Sequence, residues 1–259
     1  QWMQVGFIHG VMNTDNMSIS GETMDFGPCA FLDEYDPDKK FSFIDQRGRY
    51  AFGNQPMIAH WNLARLAEAL LPLIAPEEEV ALGLARETLE LFPEIFRRAY
   101  LERMGAKIGI ADGGEADWPL VDGLLDLLRE QGMDFTLSFR HLRGVPLSGE
   151  PLCGDNLFLR LFPRQGPVET WLARWRDHLA TRGVSGEAAA ATMRGANPVF
   201  VPRNHRIESV IAAGKEGDFA PFHRLNEILA RPFEEQPLSR EYELPPELGE
   251  VVRATYCGT

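Results

Sequence analysis

The chain has 259 residues, 44% hydrophobic and 25% charged, the composition of a globular protein long enough to bury a sizeable core. Its formal net charge of -12 argues against a nucleic-acid partner, because phosphate-backbone binders draw most of their affinity from clustered Lys and Arg. No apolar run approaches the roughly 18 residues of a membrane-spanning helix, so no membrane partner is expected either.

Along the chain, residues 1–8 run directly into the most motif-dense region and read as the end of a helix that was cut short. Residues 6–56 are rich in Gly, Asn, Asp and Pro with short apolar stretches, which predicts loops and short strands. Long loops of this kind in a compact domain usually carry function. Helical spacing of apolar residues then predicts a helix over 61–71, ended by Pro72. Pro76 with Glu77, Glu78 and Glu79 opens a second helix that reaches about residue 105, with a kink at Pro93. Further helical patterns cover 118–131, 168–181, 186–193, 206–213 and 219–229. Residues 232–246, rich in proline and acids, have the composition of an extended surface segment.

The informative stretch is His9-Gly10-Val11-Met12-Asn13-Thr14-Asp15-Asn16-Met17, followed by Met24-Asp25-Phe26-Gly27-Pro28. Protein kinases place a loop of form H-R-D-x-x-x-x-N before a D-F-G, with the Asn and the D-F-G Asp holding Mg²⁺ against phosphates. Here His9, Asn16 and Asp25-Phe26-Gly27 stand in that order, but Val11 takes the place of the kinase base. Valine cannot accept a proton, which excludes the ordinary kinase mechanism at that position. On the residues alone, Asp15, Asn16 and Asp25 also read as turn residues that hydrogen-bond their own backbone. His9 reads as a packing residue, and Asp45, Arg47 and Arg49 as either an activation segment or a solvated turn. His60, His141, His178, His205 and His223 show no ligand spacing.

Residues 10–19 together with Asp25-Phe26-Gly27-Pro28 closely resemble the signature of the selenoprotein O family. The resemblance continues through Phe31-Leu32-Asp33-Glu34-Tyr35-Asp36-Pro37, Gly48-Arg49-Tyr50-Ala51-Phe52-Gly53-Asn54-Gln55-Pro56 and Trp61-Asn62-Leu63-Ala64-Arg65-Leu66-Ala67. It extends to residues 197–205 and to the closing Tyr256-Cys257-Gly258-Thr259. It implies an α+β fold whose kinase-like C-terminal lobe is mostly helical, with short strands around the catalytic and metal-binding loops. It further implies transfer of AMP from ATP to Ser, Thr or Tyr hydroxyls of protein substrates in the bacterial cytoplasm. Asp15 would be the general base, with Asn16 and Asp25 binding Mg²⁺ or Mn²⁺ and the nucleotide. A phosphotransferase and a non-catalytic regulatory pseudokinase are the alternatives.

The expected organisation is a catalytic loop, metal-binding motif and activation segment over 1–56, a helical lobe with a family-specific extension over 57–231, and an extended tail over 232–259. A kinase-type site also needs a Gly-rich loop and a strand-borne Lys ahead of the D-F-G. Lys39, Lys40, Lys107 and Lys215 all follow it, so the ATP-gripping lobe is expected upstream of Gln1 and this chain alone is expected to be inactive. Cys29, Cys153 and Cys257 show no C-x-x-C spacing, which gives no sign of a zinc site. Since the family often carries Cys or selenocysteine at the chain end, a redox disulfide between Cys29 and Cys257 is a further expectation.

Overall fold

The computed structural model describes residues 1–145 and 156–256. The chain divides into two compact units. One comprises Ile8–Ala30, Pro37–Tyr100 and the chain end from Arg253, and it carries the candidate residues Asp15, Asn16, Asp25 and Cys29. The other comprises Gln1–Phe7, Phe31–Asp36 and Leu101–Val252. The fold is mostly helical, with one small sheet among the described residues that pairs β1 (Phe7–Ile8) with β2 (Ala30–Phe31).

The site-bearing unit is built on helix α2, Gln55–Ile74, the first long helix after α1 (Trp2–Val5). Pro56 sits in its first turn, where a missing N–H costs nothing. Gln55, Ile58 and Asn62 recur at helical spacing and form its buried face. The helix runs on past Pro72 to Ile74. Proline so close to the C-terminus forfeits a single backbone bond of the final turn, which the helix survives for two more residues. Helix α3, Glu78–Glu90, packs back along α2 and buries Ala81 and Ala85. The expected kink at Pro93 is instead a break at Leu91, with Pro93 in the first turn of α4, Phe92–Lys107.

In the other unit α5 (Trp118–Gln131) packs against α8 (Gln165–Thr181). Trp171 and Trp175 of α8 stack at 5.8 Å, and their indole N–H groups donate at 2.8 Å to the carbonyls of Leu120 and Ile108. Both large aromatic surfaces are thereby buried without an orphaned donor. Two short helices, α6 (Phe135–Leu142) and α7 (Leu157–Leu161), have no counterpart in the sequence reading. Helix α6 spans only eight residues, and its Phe135-Thr136-Leu137-Ser138-Phe139 start alternates apolar and polar in the way a strand does. Its legible signal is Asp134, which caps it by accepting from Leu137 N at 2.7 Å. Helices α9 (Gly186–Ala196), α10 (Asn204–Lys215) and α11 (Ala220–Leu229) fall within a few residues of expectation.

The acidic, proline-rich stretch carries a 3-10 helix, Pro237–Tyr242, because its acids find arginine partners. Arg140 pairs with Glu235 and Glu243, and Arg143 also pairs with Glu235. Arg203 is 1% exposed and bonds Asp33 at 2.8 Å, Asp134 at 2.5 Å and the Glu243 carbonyl at 2.9 Å. Such a cation is tolerable in the interior because its charge is matched by carboxylates at hydrogen-bonding distance.

Lys107 is a different case. It is 1% exposed, and its ammonium stands 4.7 Å from the Phe135 ring centre and 4.1 Å from that of Phe139. Burial pulls its pKa down to about 7, while the two aromatic faces favour the cation and oppose that descent. With an unfolded pKa near about 10.4, the folded state holds fewer protons across the interval between the two values. Stability from this group is therefore lowest below pH 7 and rises as the pH climbs towards 10. Lys107→Met is expected to stabilise the protein below pH 7 by on the order of 1 kcal/mol, an advantage that shrinks at higher pH. Urea unfolding of both proteins across the pH range reads that difference directly.

Candidate functional site

The loop that carries Asp15 and Asn16 has little regular hydrogen bonding, so its polar backbone must be satisfied by side chains. His9, fully buried, does much of this: its backbone N–H donates to Gln55 Oε1 at 3.0 Å, and its Nδ1 accepts from Val11 N at 3.3 Å. With Nδ1 an acceptor, the ring proton belongs on Nε2, which reaches the Met24 carbonyl at 2.8 Å. Val11 is buried and bonds within the loop through its backbone.

Asp15 and Asn16 lie in a 3-10 helix, Thr14–Asn16. Asp15 is exposed and Asn16 half-buried. The Asn16 Nδ2 donates to the Val11 carbonyl at 3.0 Å, which orients the carboxamide and leaves Oδ1 as its acceptor. An isolated antiparallel bridge joins Met17 to Thr23, so the chain doubles back, with Asn16 one residue before the bridge and Asp25 two residues after it. Asp25 is exposed and, at φ 54°, is the one non-glycine residue in the left-handed region among the described residues. Its Oδ1 accepts weakly from Gly27 N at 3.4 Å, an Asx-type turn suited to that backbone. Strain of this kind persists where surrounding structure over-determines it.

Two features of Pro28 hold this turn. Gly10 (φ +84°) approaches it so closely that a Cβ there would stand 2.8 Å from the Pro28 carbonyl oxygen, which leaves room for glycine alone. The same carbonyl accepts from Thr255 Oγ1 at 2.5 Å. Cys29 follows, half-buried, its thiol pushed up to about 11 by burial, with the Asp25 carboxylate adding to the rise. A thiol so far from ionising is a poor nucleophile at neutral pH. Cys257, its expected partner, lies outside the described residues.

Residues without a definite role in the sequence reading also shape this region. Asn62 on α2 donates from Nδ2 to the Met12 carbonyl at 2.9 Å and stands 2.6 Å from Met17 Sδ. Its signal was a polar residue within the buried stripe of a helix. Tyr50 donates from its hydroxyl to Asn13 Oδ1 at 2.5 Å. Asp45 is buried and accepts from the backbone N–H groups of Arg49 and Tyr50, both at 2.8 Å, which makes it the organiser of a turn. Arg49 and Arg65 both lie on the Trp61 ring, at 4.7 and 5.2 Å from its centre. Beside the Asp15 loop a groove of about 340 Å³ is lined by Thr14, Met17, Ile19, Leu63, Arg65 and Leu66 among others.

Asp15, Asn16 and Asp25 are thus oxygen-bearing side chains on two neighbouring loops, and among the described residues no group of three or more His, Cys, Asp and Glu is placed to hold a metal ion. Residues 1–230 match the family model described as Protein adenylyltransferase SelO, and the chain belongs to that family. It is 49% identical over 260 residues to the Protein nucleotidyltransferase YdiU of Rhizobium etli. It is 50% identical to the protein of that name from Rhizobium rhizogenes and 48% identical to the one from Nitrobacter winogradskyi. All of this chain is covered in each match but only 51% of each relative, so the chain spans about half the length of these proteins.

Asn62→Ala is expected to leave the Met12 carbonyl without its side-chain donor, at a cost of about 1–3 kcal/mol in stability. Hydrogen exchange of residues 12–17 should accelerate by more than that of α3, and equal acceleration in both would show that Asn62 does not act locally.

Proposed function

We propose that the protein carrying this chain is a nucleotidyltransferase that moves AMP from ATP onto hydroxyl side chains of proteins, with Asp15, Asn16 and Asp25 of this chain in a kinase-like lobe. The observation that carries the reading is the Met17–Thr23 bridge, with Asn16 one residue before it, Asp25 two residues after it and Asp15 exposed in the same loop. Membership of the family described as Protein adenylyltransferase SelO supports it, as do the relatives' names as protein nucleotidyltransferases.

In this reaction the acceptor hydroxyl oxygen forms a bond to the α-phosphorus of ATP. The bond from that phosphorus to the oxygen bridging to the β-phosphate breaks, and pyrophosphate departs with its electron pair. Asp15 takes the hydroxyl proton, a role its exposed carboxylate can fill and the Val11 side chain cannot. Asn16 Oδ1 and the Asp25 carboxylate are the hard oxygen donors that suit Mg²⁺ or Mn²⁺. A divalent ion held there would neutralise charge on the phosphates. Asn16 and Asp25 supply two protein ligands, so the remaining coordination would come from phosphate and water, as is usual for Mg²⁺.

The net charge of -12 repels a polyphosphate, and the attraction must come from the metal and from cations elsewhere in the protein. The 259-residue chain by itself is accordingly expected to bind Mg·ATP more weakly than micromolar, and titration calorimetry showing micromolar affinity would contradict this.

The decisive experiment incubates the full-length protein with ATP labelled at the α- or the γ-phosphate. Label from the α-position should enter protein, and Asp15→Ala should lower its rate by about 10²–10⁴-fold while Mg·ATP still binds. Entry of γ-label alone would make the protein a phosphotransferase, and entry of neither would favour a regulatory pseudokinase.

A further inference from the structure

Asp25 is bracketed by two carbonyls that each accept from a side chain. Before it, the Met24 carbonyl meets His9 Nε2 at 2.8 Å. After it, the Pro28 carbonyl meets Thr255 Oγ1 at 2.5 Å. His9 belongs to the same loop system, but Thr255 reaches Pro28 from 227 residues further along the chain.

Thr255 is itself held firmly. Its N–H donates to the Phe41 carbonyl at 2.8 Å, and its carbonyl accepts from Phe43 N at 3.0 Å, an isolated parallel bridge to Ser42. Tyr256 adds a ring contact with Phe43 at 5.1 Å. The tail is thus fixed by its backbone to the 41–43 segment, which leaves the Thr255 hydroxyl to act on Pro28. Pro28 is buried and has little room to shift, because its carbonyl already lies against Gly10 of the Asp15 loop. Asp25, by contrast, is exposed and sits in a backbone conformation that an L-residue leaves readily when its flanks are freed.

We propose that Thr255 is a positioning residue for Asp25: the tail hydroxyl pins the Pro28 carbonyl and so sets the Asp25 carboxylate in place for the divalent cation. The inference rests on the reading of Asp25 as a metal ligand. It makes the final described turn of the chain part of the metal site's support. A tail that leaves the 41–43 segment lowers cation affinity without touching any residue that reaches the nucleotide.

The test uses the full-length protein with Thr255→Val, which removes the hydroxyl at nearly constant shape, and Thr255→Ser, which keeps it. Mn²⁺ binding is followed by electron paramagnetic resonance, and backbone exchange at residues 24–29 by mass spectrometry. Thr255→Val should weaken Mn²⁺ binding by roughly threefold to tenfold and speed exchange at 24–29, and Thr255→Ser should restore both. In turnover assays the loss should fall on the metal concentration for half-maximal rate rather than on kcat at saturating metal. If Asp25→Ala abolishes Mn²⁺ binding while a folded Thr255→Val protein binds as the unaltered protein does, the proposal is overturned and the metal reading stands. If Asp25→Ala itself binds Mn²⁺ normally, the metal reading fails and the proposal falls with it.

Discussion

The site depends on one constraint: an irregular segment buried against a helix must have its backbone polar groups satisfied by side chains. A carbonyl or N–H withdrawn from water without a partner costs about as much as a hydrogen bond is worth in an apolar medium, and the buried residues 9–12 form few regular bonds. The solution is a small set of buried polar side chains, with Gln55 and Asn62 projecting from α2 and His9 from the loop itself. Helix α2 therefore acts as the frame on which the Asp15 loop is hung, and its buried face is polar at two positions for that reason.

A second constraint follows at Asp25. Its carboxylate is exposed, and exposure removes the packing that normally fixes a side chain. Here the backbone compensates: the left-handed turn, the weak Gly27 contact and the anchored carbonyls on either side restrict where the carboxylate can be. The close approach of Gly10 and Pro28 couples that turn to the Asp15 loop, so the two halves of the candidate site share a wall.

The charge balance shows a division of labour. Three arginines of the larger unit are paired with carboxylates: Arg203 with Asp33 and Asp134, Arg140 with Glu235 and Glu243, Arg182 with Asp112 and Asp117. They hold the fold together rather than attract anions. Beside the candidate site, Arg49 and Arg65 rest on Trp61, where aromatic contact keeps the guanidinium groups extended over the surface.

The sequence by itself determined the order His9, Val11, Asp15, Asn16, Asp25 and the long amphipathic helices, because motif spacing and helical periodicity are local properties of the chain. Helix α5 has the predicted limits 118–131, since its start with Pro119 and its end at Gly132 are both written in adjacent residues. Helix α6 was invisible because eight residues that begin with an apolar–polar alternation do not separate a helix from a strand, and the break at Leu91 was displaced from Pro93 because proline opens a helix as readily as it kinks one. What only the tertiary structure decided is which distant residues complete the site. Asn62, Gln55 and Thr255 contribute side-chain hydrogen bonds across 50, 46 and 227 positions, and no local pattern encodes a partner so far away.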